Sequence, residues 1–331
     1  MFFPFHRLRK WQQVKATIIV ATLFTPATPL LAASCCGGGS GGSLILPKMS
    51  SAMFDMSASQ ENYNGFWQAD GTILQDPPGS DLKQLRLNVG AAYRLAPNWQ
   101  TSFVLPYVWN RNQYSGYEHN SNGLGDSSFS LLYEAFDDIT CVWKVRELSD
   151  LKPAIYWGAT LTVPTGISPY DDVPNKLDTT GLGFYRLDGS LHVEKTIYPL
   201  TASLTLNHGI HIKRPVNRER GEHVKPYNKQ LGDRTSVTTS FSYTHFMDSL
   251  DAITAGFSYN YLTEGKTVTD GTEDSASGFR KQSISTSLTW AESGNRWITR
   301  VSWNHSINRE GWGENFPITD IYTLGVSYLY E

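Results

Sequence analysis

The chain has 331 residues with Lys+Arg 28 against Asp+Glu 31, a formal net charge of −3, so no surplus of positive charge prepares it for nucleic acid. Its mean hydropathy is negative, which excludes a membrane protein built of apolar helices. Aromatic residues nevertheless reach 13%, with Trp 10 and Tyr 17; this fits strands that alternate polar and apolar residues and carry rings at membrane interfaces, while a soluble β-sandwich stays open.

At the N-terminus, His6, Arg7, Arg9, Lys10 and Lys15 flank and precede a short apolar core, "ATIIVATLF", and the small-residue run "TPATPLLAAS". That order is the pattern of a secretory signal, too short and too Pro-broken to span a membrane. Residues 34–43, "SCCGGGSGGS", read as a flexible linker. The expected division is a signal over 1–34, a Cys/Gly/Ser-rich periplasmic linker over 35–47 and one β domain over 48–331. No later stretch reaches the ~18 uninterrupted apolar residues of a membrane helix, so a membrane-spanning form must be a closed barrel.

Past the linker the text alternates with period two. "LRLNVGAAYRL" sets Leu85, Leu87, Val89, Ala91 and Tyr93 against Arg86, Asn88, Gly90, Ala92 and Arg94. After "APN", Trp99, Thr101, Phe103, Leu105, Tyr107 and Trp109 share a face. "PAIYWGATLTV", "AITAGFSYNY", "SISTSLTW" and "WITRVSW" repeat the pattern, and "YTLGVSYLYE" carries Tyr322, Leu324, Val326, Tyr328 and Tyr330 on one face. About twelve strands are expected, near 48–62, 82–95, 98–112, 126–137, 153–165, 182–196, 200–213, 234–246, 251–263, 280–292, 296–307 and 320–331. "APN", "YPL", "MDSLD" and "ESGN" are short turns, whereas 63–81, 113–125, 166–181, 214–233, 264–279 and 308–319 are long loops; "DITCVWKVRELSDL" is long where a short turn is expected. This alternation predicts an all-β, transmembrane, antiparallel up-and-down barrel with both termini in the periplasm of a Gram-negative bacterium, the last strand closing on the first with its rings toward lipid.

Four motifs then add a family. "RLAPNWQTSFVLPYVWN" contains Leu105, Pro106 and Tyr107, "NGLGDSSFSLLYEAF" contains Gly123, Leu124, Gly125 and Asp126, "GATLTVPTG" ends in Pro164, Thr165 and Gly166, and "TTGLGFYRLDGSLHVEK" follows. In that order and spacing they resemble the outer-membrane barrel family named for the meta-pathway of phenol degradation, over roughly 82–331. The resemblance implies a porin-like transporter for small molecules, apolar ones among them, without naming a solute.

Several constellations bear chemistry. The inward parity collects Arg86, Arg94, Glu134, Arg186, Asp188, His192, Glu194, His211, Lys213 and Arg300, which predicts either a selectivity lining or a salt-bridged filling of a narrow barrel. "HNSNG", from His119 to Gly123, is similar to the His-x-Ser-Asn-Gly stretch of outer-membrane phospholipase A, where Ser121 would be the nucleophile and His119 its base; the orienting Asn twelve residues on is replaced by Tyr133. A lipid hydrolase is therefore carried as one alternative, and a non-conducting structural or assembly barrel as another. Cys35, Cys36 and Cys141 are candidates for lipidation or for a disulfide from the linker to the "DITCVWKVRELSDL" connection. The expected partners are outer-membrane lipid, a small solute, the barrel-assembly machinery and a periplasmic redox or efflux protein; no cofactor, metal or nucleic acid is expected.

Overall fold

The computed structural model describes residues 44–331 except 69, 115, 136–140, 295, 308–311 and 314–315. Cys35, Cys36 and the signal over 1–34 lie outside the described residues, as does the side chain of Cys141.

Twelve long strands form the wall. They are β1 (Ala52–Trp67), β2 (Asp81–Ala96), β3 (Trp99–Tyr114), β4 (Ser127–Glu134), β5 (Ala154–Val163), β6 (Arg186–Ile197), β7 (Leu200–His211), β8 (Arg234–Phe246), β9 (Ala252–Glu264), β10 (Phe279–Ala291), β11 (Trp297–Ser306) and β12 (Phe316–Tyr330). Each pairs antiparallel with its sequence neighbours, and β1 pairs with β12 from Ala52↔Tyr330 to Trp67↔Phe316, which closes the ring. Closure leaves no sheet edge, so the wall's backbone groups are paired within it.

The faces are inverted relative to a soluble protein. On β1, Phe54 and Met56 are 53% and 47% exposed while Asp55 and Ser57 between them are 3% and 7% exposed. Leu85, Tyr93, Phe103, Trp157, Phe257, Leu288 and Leu324 are likewise exposed. Apolar residues turned outward and polar ones turned inward are what a hydrocarbon solvent selects. Rings meet across strands at one rim, edge to face or tilted: Trp99 and Tyr133 lie 5.0 Å apart, Tyr133 and Trp157 5.8 Å, and Trp297 and Tyr328 4.9 Å. Such girdles sit at the lipid–water boundary, where a ring is apolar in body and polar at one end.

Short turns gather at this rim, the Tyr198-Pro199 turn among them. The connection after β4 is long, and part of it runs beside β6, with Cys141–Val142 parallel to Thr196 and Ile197. Trp143 then stacks on Tyr198 at 4.1 Å and Phe246 at 6.0 Å, which holds the connection against two neighbouring turns.

At the opposite rim, several expected loops are hairpins. Tyr117–Leu124 pairs with β3, so the 113–125 stretch is a strand beyond a tight turn. Arg214–Glu219 pairs with Glu222–Gln230 in the same way. The chain before β1 also departs from a linker. A turn, with Ser50 N–H donating to Pro47 C=O at 3.0 Å, folds residues 44–47 back into the barrel. There Leu44 and Leu46 pack with Met53, Ala92 and Leu329.

Candidate functional site

Behind the outward rings the inner wall is polar. On β8 to β11, inward positions read Ser236, Thr238, Ser240 and Ser242, then Ser258 and Asn260, then Ser283, Ser285 and Ser287, then Ser302 and Asn304. These side chains bond one another across strands, as Thr238 Oγ1 does to Asn260 at 2.9 Å and Asn304 Nδ2 to Ser285 at 2.6 Å. The result is a hydroxyl and amide wall, flanked at the same parity by Arg234 on β8, Glu264 on β9, Lys281 on β10 and Arg300 on β11.

Charges at the inward parity are mostly paired. Arg300 Nη2 donates to both oxygens of Asp55 at 2.9 and 3.0 Å, and Ser327 Oγ donates to the same carboxylate at 2.6 Å. Gly325 provides the space: a Cβ there would meet Arg300 Nε at 2.9 Å. Arg186 Nε donates to both oxygens of Asp188 at 2.9 Å, and a Cβ at Gly209 would come within 2.1 Å of that carboxylate. His192 shares a proton with Thr205 Oγ1 at 2.8 Å, and its Nε2 is 3.7 Å from Glu194. His211 donates from Nδ1 to Gly232 C=O at 2.8 Å. Arg94 donates to the carbonyls of Ser50, Pro97 and Pro47 at 3.0–3.1 Å and lies 3.7 Å from Glu134, so it clamps the N-terminal turn. Arg86 donates to Gln84 at 2.7 Å and is exposed, and Lys213 is exposed in the bend beyond β7. Asp55 was missing from the sequence reading, although its parity between Phe54 and Met56 places it with Arg300.

The motifs of the resemblance meet at the base of the loop between β5 and β6. Asp126 accepts from Gly166 N–H at 3.1 Å and from Leu182 N–H at 2.7 Å, and so joins the two ends of that loop. Thr165 Oγ1 donates to Gly125 C=O at 2.6 Å, and Thr180 Oγ1 donates to Leu124 C=O at 2.5 Å. Gly181 is required by this closeness, since a Cβ there would fall 2.2 Å from Asp126 Oδ1. Asp126→Ala removes the acceptor of two N–H groups, at about 1–3 kcal/mol for each one left unsatisfied. Limited proteolysis should then cut within 166–182 in the variant and spare the wild type, with Asp126→Asn, which retains one acceptor oxygen, in between.

From this base the loop turns inward. Its short 3-10 turn, Lys176–Asp178, begins with Asn175 Oδ1 accepting from Leu177 N–H at 3.0 Å. Asp178 is 1% exposed and its carboxylate meets Asn112 Nδ2 at 2.9 Å, Tyr117 Oη at 2.5 Å and His119 Nδ1 at 3.0 Å. Burial and the adjoining Asp178 push the Tyr117 phenol up to about 12, so it remains a donor at neutral pH. Ser121 Oγ donates to Asp178 C=O at 2.9 Å, Asn112 to Leu177 C=O at 2.8 Å and Asn110 to Thr179 C=O at 2.9 Å. The loop is thereby held on the inner face of β3 and its hairpin. Between them a cleft of about 120 Å³ is lined by Tyr63, Gln84, Asn110, Lys176 and Thr179. On the loop's other flank Tyr170 packs with Phe184 and Val216 under the Arg214 guanidinium, 4.9 Å from the ring.

This geometry gives His119 and Ser121 a different role from hydrolysis. Both bond Asp178: the imidazole takes the carboxylate, and the serine hydroxyl is directed at a backbone carbonyl. Tyr133, at the position of the orienting Asn, makes edge-to-face contacts with Trp99 and Trp157 on the outer face. The two residues belong to a latch. Among the described residues no group of three or more His, Cys, Asp or Glu could hold a metal ion.

A closed barrel with exposed rings, a polar interior and a loop latched inward has the fold of an outer-membrane β-barrel. Among solved structures, the chain is similar to the COG4313 outer membrane channel from Pseudomonas putida F1, with TM-score 0.65 and 12% identity over 88% of this chain and 100% of that one. It is also similar to the β domain of the Bordetella autotransporter BrkA, with TM-score 0.50 and 11% identity over 85% of this chain and 100% of that one. The first is a channel and the second the β domain of an autotransporter, and the likeness is one of fold. No family model matches the chain, and no curated protein matches it.

Proposed function

We propose that the chain is a Gram-negative outer-membrane channel that passes small solutes through its lumen, with the short-turn rim and both termini in the periplasm. The observation that carries this reading is the inward loop. Asn110, Asn112, Tyr117, His119 and Ser121 all bind it, and a barrel serving only as structure has no need of a loop held inside its mouth. The hydroxyl wall supports polar solutes. The apolar collar around Met53, Ala92 and Leu329 supports solutes that also carry an apolar group, as the sequence resemblance to the phenol meta-pathway barrel family implies.

Asp178→Ala tests the constriction. It removes the carboxylate that Asn112, Tyr117 and His119 all meet, so single-channel conductance in planar bilayers and liposome swelling with small sugars should rise severalfold, with the barrel still heat-modifiable. Unchanged conductance in folded D178A protein would place the narrowest point elsewhere, and absence of any conductance would favour the structural-barrel alternative.

A further inference from the structure

An apolar collar along five adjacent strands of the inner wall is filled by the chain's own N-terminal segment. Met53, Ala92, Val104, Ile298 and Leu329 face inward on β1, β2, β3, β11 and β12, next to the ion-paired Asp55 and Arg300 on the inner faces of β1 and β11. Leu44 and Leu46, 5% and 1% exposed, sit in that collar. The site is built for them: Gly90 leaves the room that Leu44 Cδ1 takes, 2.7 Å from where a Cβ would lie. The Gln100 side chain accepts from Leu46 N–H at 2.7 Å.

Two features distinguish this seat from an ordinary core. Gln100 is 1% exposed, and its Nε2 is buried with no hydrogen-bond partner, so the collar holds a donor that the segment does not satisfy. The segment's attachment is also uneven. Arg94 fastens the turn at Pro47 and Ser50, whereas Leu44 and Leu46 are held by apolar contact and one side-chain acceptor.

We propose that Leu44–Pro47 is a resident plug, and that the collar is the binding site for a small amphipathic solute. Its apolar group replaces the two leucine side chains, and an acceptor oxygen on it meets Gln100 Nε2. The turn clamped by Arg94 is the pivot on which the plug leaves. This rests on the channel reading above.

The test uses the full chain with Cys35, Cys36 and Cys141 replaced by Ser. Leu44→Cys with Gly90→Cys should form a disulfide on mild oxidation. The bridged protein should conduct severalfold less than the same protein after reduction, and deletion of 44–47 should conduct most. In a second measurement, a nitroxide on Leu46→Cys should be immobile, gain mobility on addition of 1-hexanol and stay immobile in glycerol. Equal conductance of the bridged, reduced and deleted forms would overturn the plug, and so would a mobile nitroxide without solute. An immobile nitroxide in hexanol would overturn the binding site. A folded deletion variant that conducts nothing would overturn the channel reading itself, and the gate with it.

Discussion

Arginine at both Val301 and Leu324 should leave no heat-modifiable, folded species of the V301R/L324R protein, whereas S302R/T323R should fold as the wild type does. Val301 and Leu324 are directly opposite on β11 and β12, midway along both strands, and are 45% and 54% exposed on the outer face. An arginine at the bilayer midplane costs about 2–4 kcal/mol, so the pair costs about 4–8 kcal/mol, before adding the repulsion of like charges placed across a ladder. Folded proteins are stable by only about 5–15 kcal/mol, and the variant loses most or all of that margin. Ser302 and Thr323 form the adjacent pair of the same ladder, with side chains turned to the lumen. The same two charges there face water and other polar groups. Equal behaviour of the two variants in unboiled electrophoresis would remove the assignment of outer and inner faces.

That assignment was legible because period two survives wherever one face meets lipid and the other does not. The β8 expectation over 234–246 coincides with the strand found, and β2, β3, β9, β10 and β11 differ by a residue or two at each end. Legibility fails where both faces meet water. The Tyr117–Leu124 and Glu222–Gln230 strands carry Asn, His, Glu and Lys on either side, so no alternation marks them and they read as loops. It fails again at β1, expected from residue 48 and found from Ala52, because nothing local marks that the chain before it turns and places Leu44 and Leu46 inside the barrel. Partners far apart in the sequence are the least legible of all. Asp178 and Asn112 are 66 positions apart and Asp55 and Arg300 are 245 apart, and no local pattern joins them. The His119 and Ser121 pair stood out as chemistry, but the residue that explains it, Asp178, lies on another loop. Asp126 shows an intermediate case. Its motif was visible, while the two N–H groups it accepts could be identified only once the loop ends were seen together.

Removing the carboxylate of Asp55 should destabilise the barrel by about 3 kcal/mol, near the lower end of the roughly 3–5 kcal/mol seen when one partner of a buried ion pair is deleted. The lower end applies because Arg300 keeps 11% of its side-chain exposure, against 4% for Asp55. In D55A, Arg300 loses both of its short bonds while its Nε is already buried without a partner, and the apolar collar formed by Met53, Ile298 and Leu329 offers no replacement acceptor. R300M leaves Asp55 with the Ser327 hydroxyl and no countercharge, so it should lose a comparable amount. The double variant D55A/R300M should recover most of either loss, since an apolar side chain of similar length then extends the collar by one layer and no charge is left unpaired. Urea unfolding of the detergent-solubilised or vesicle-inserted protein measures all three variants. The sign of the coupling carries the argument: losses that simply add in the double variant would mean that lumen water solvates each group separately and that the pair holds nothing together.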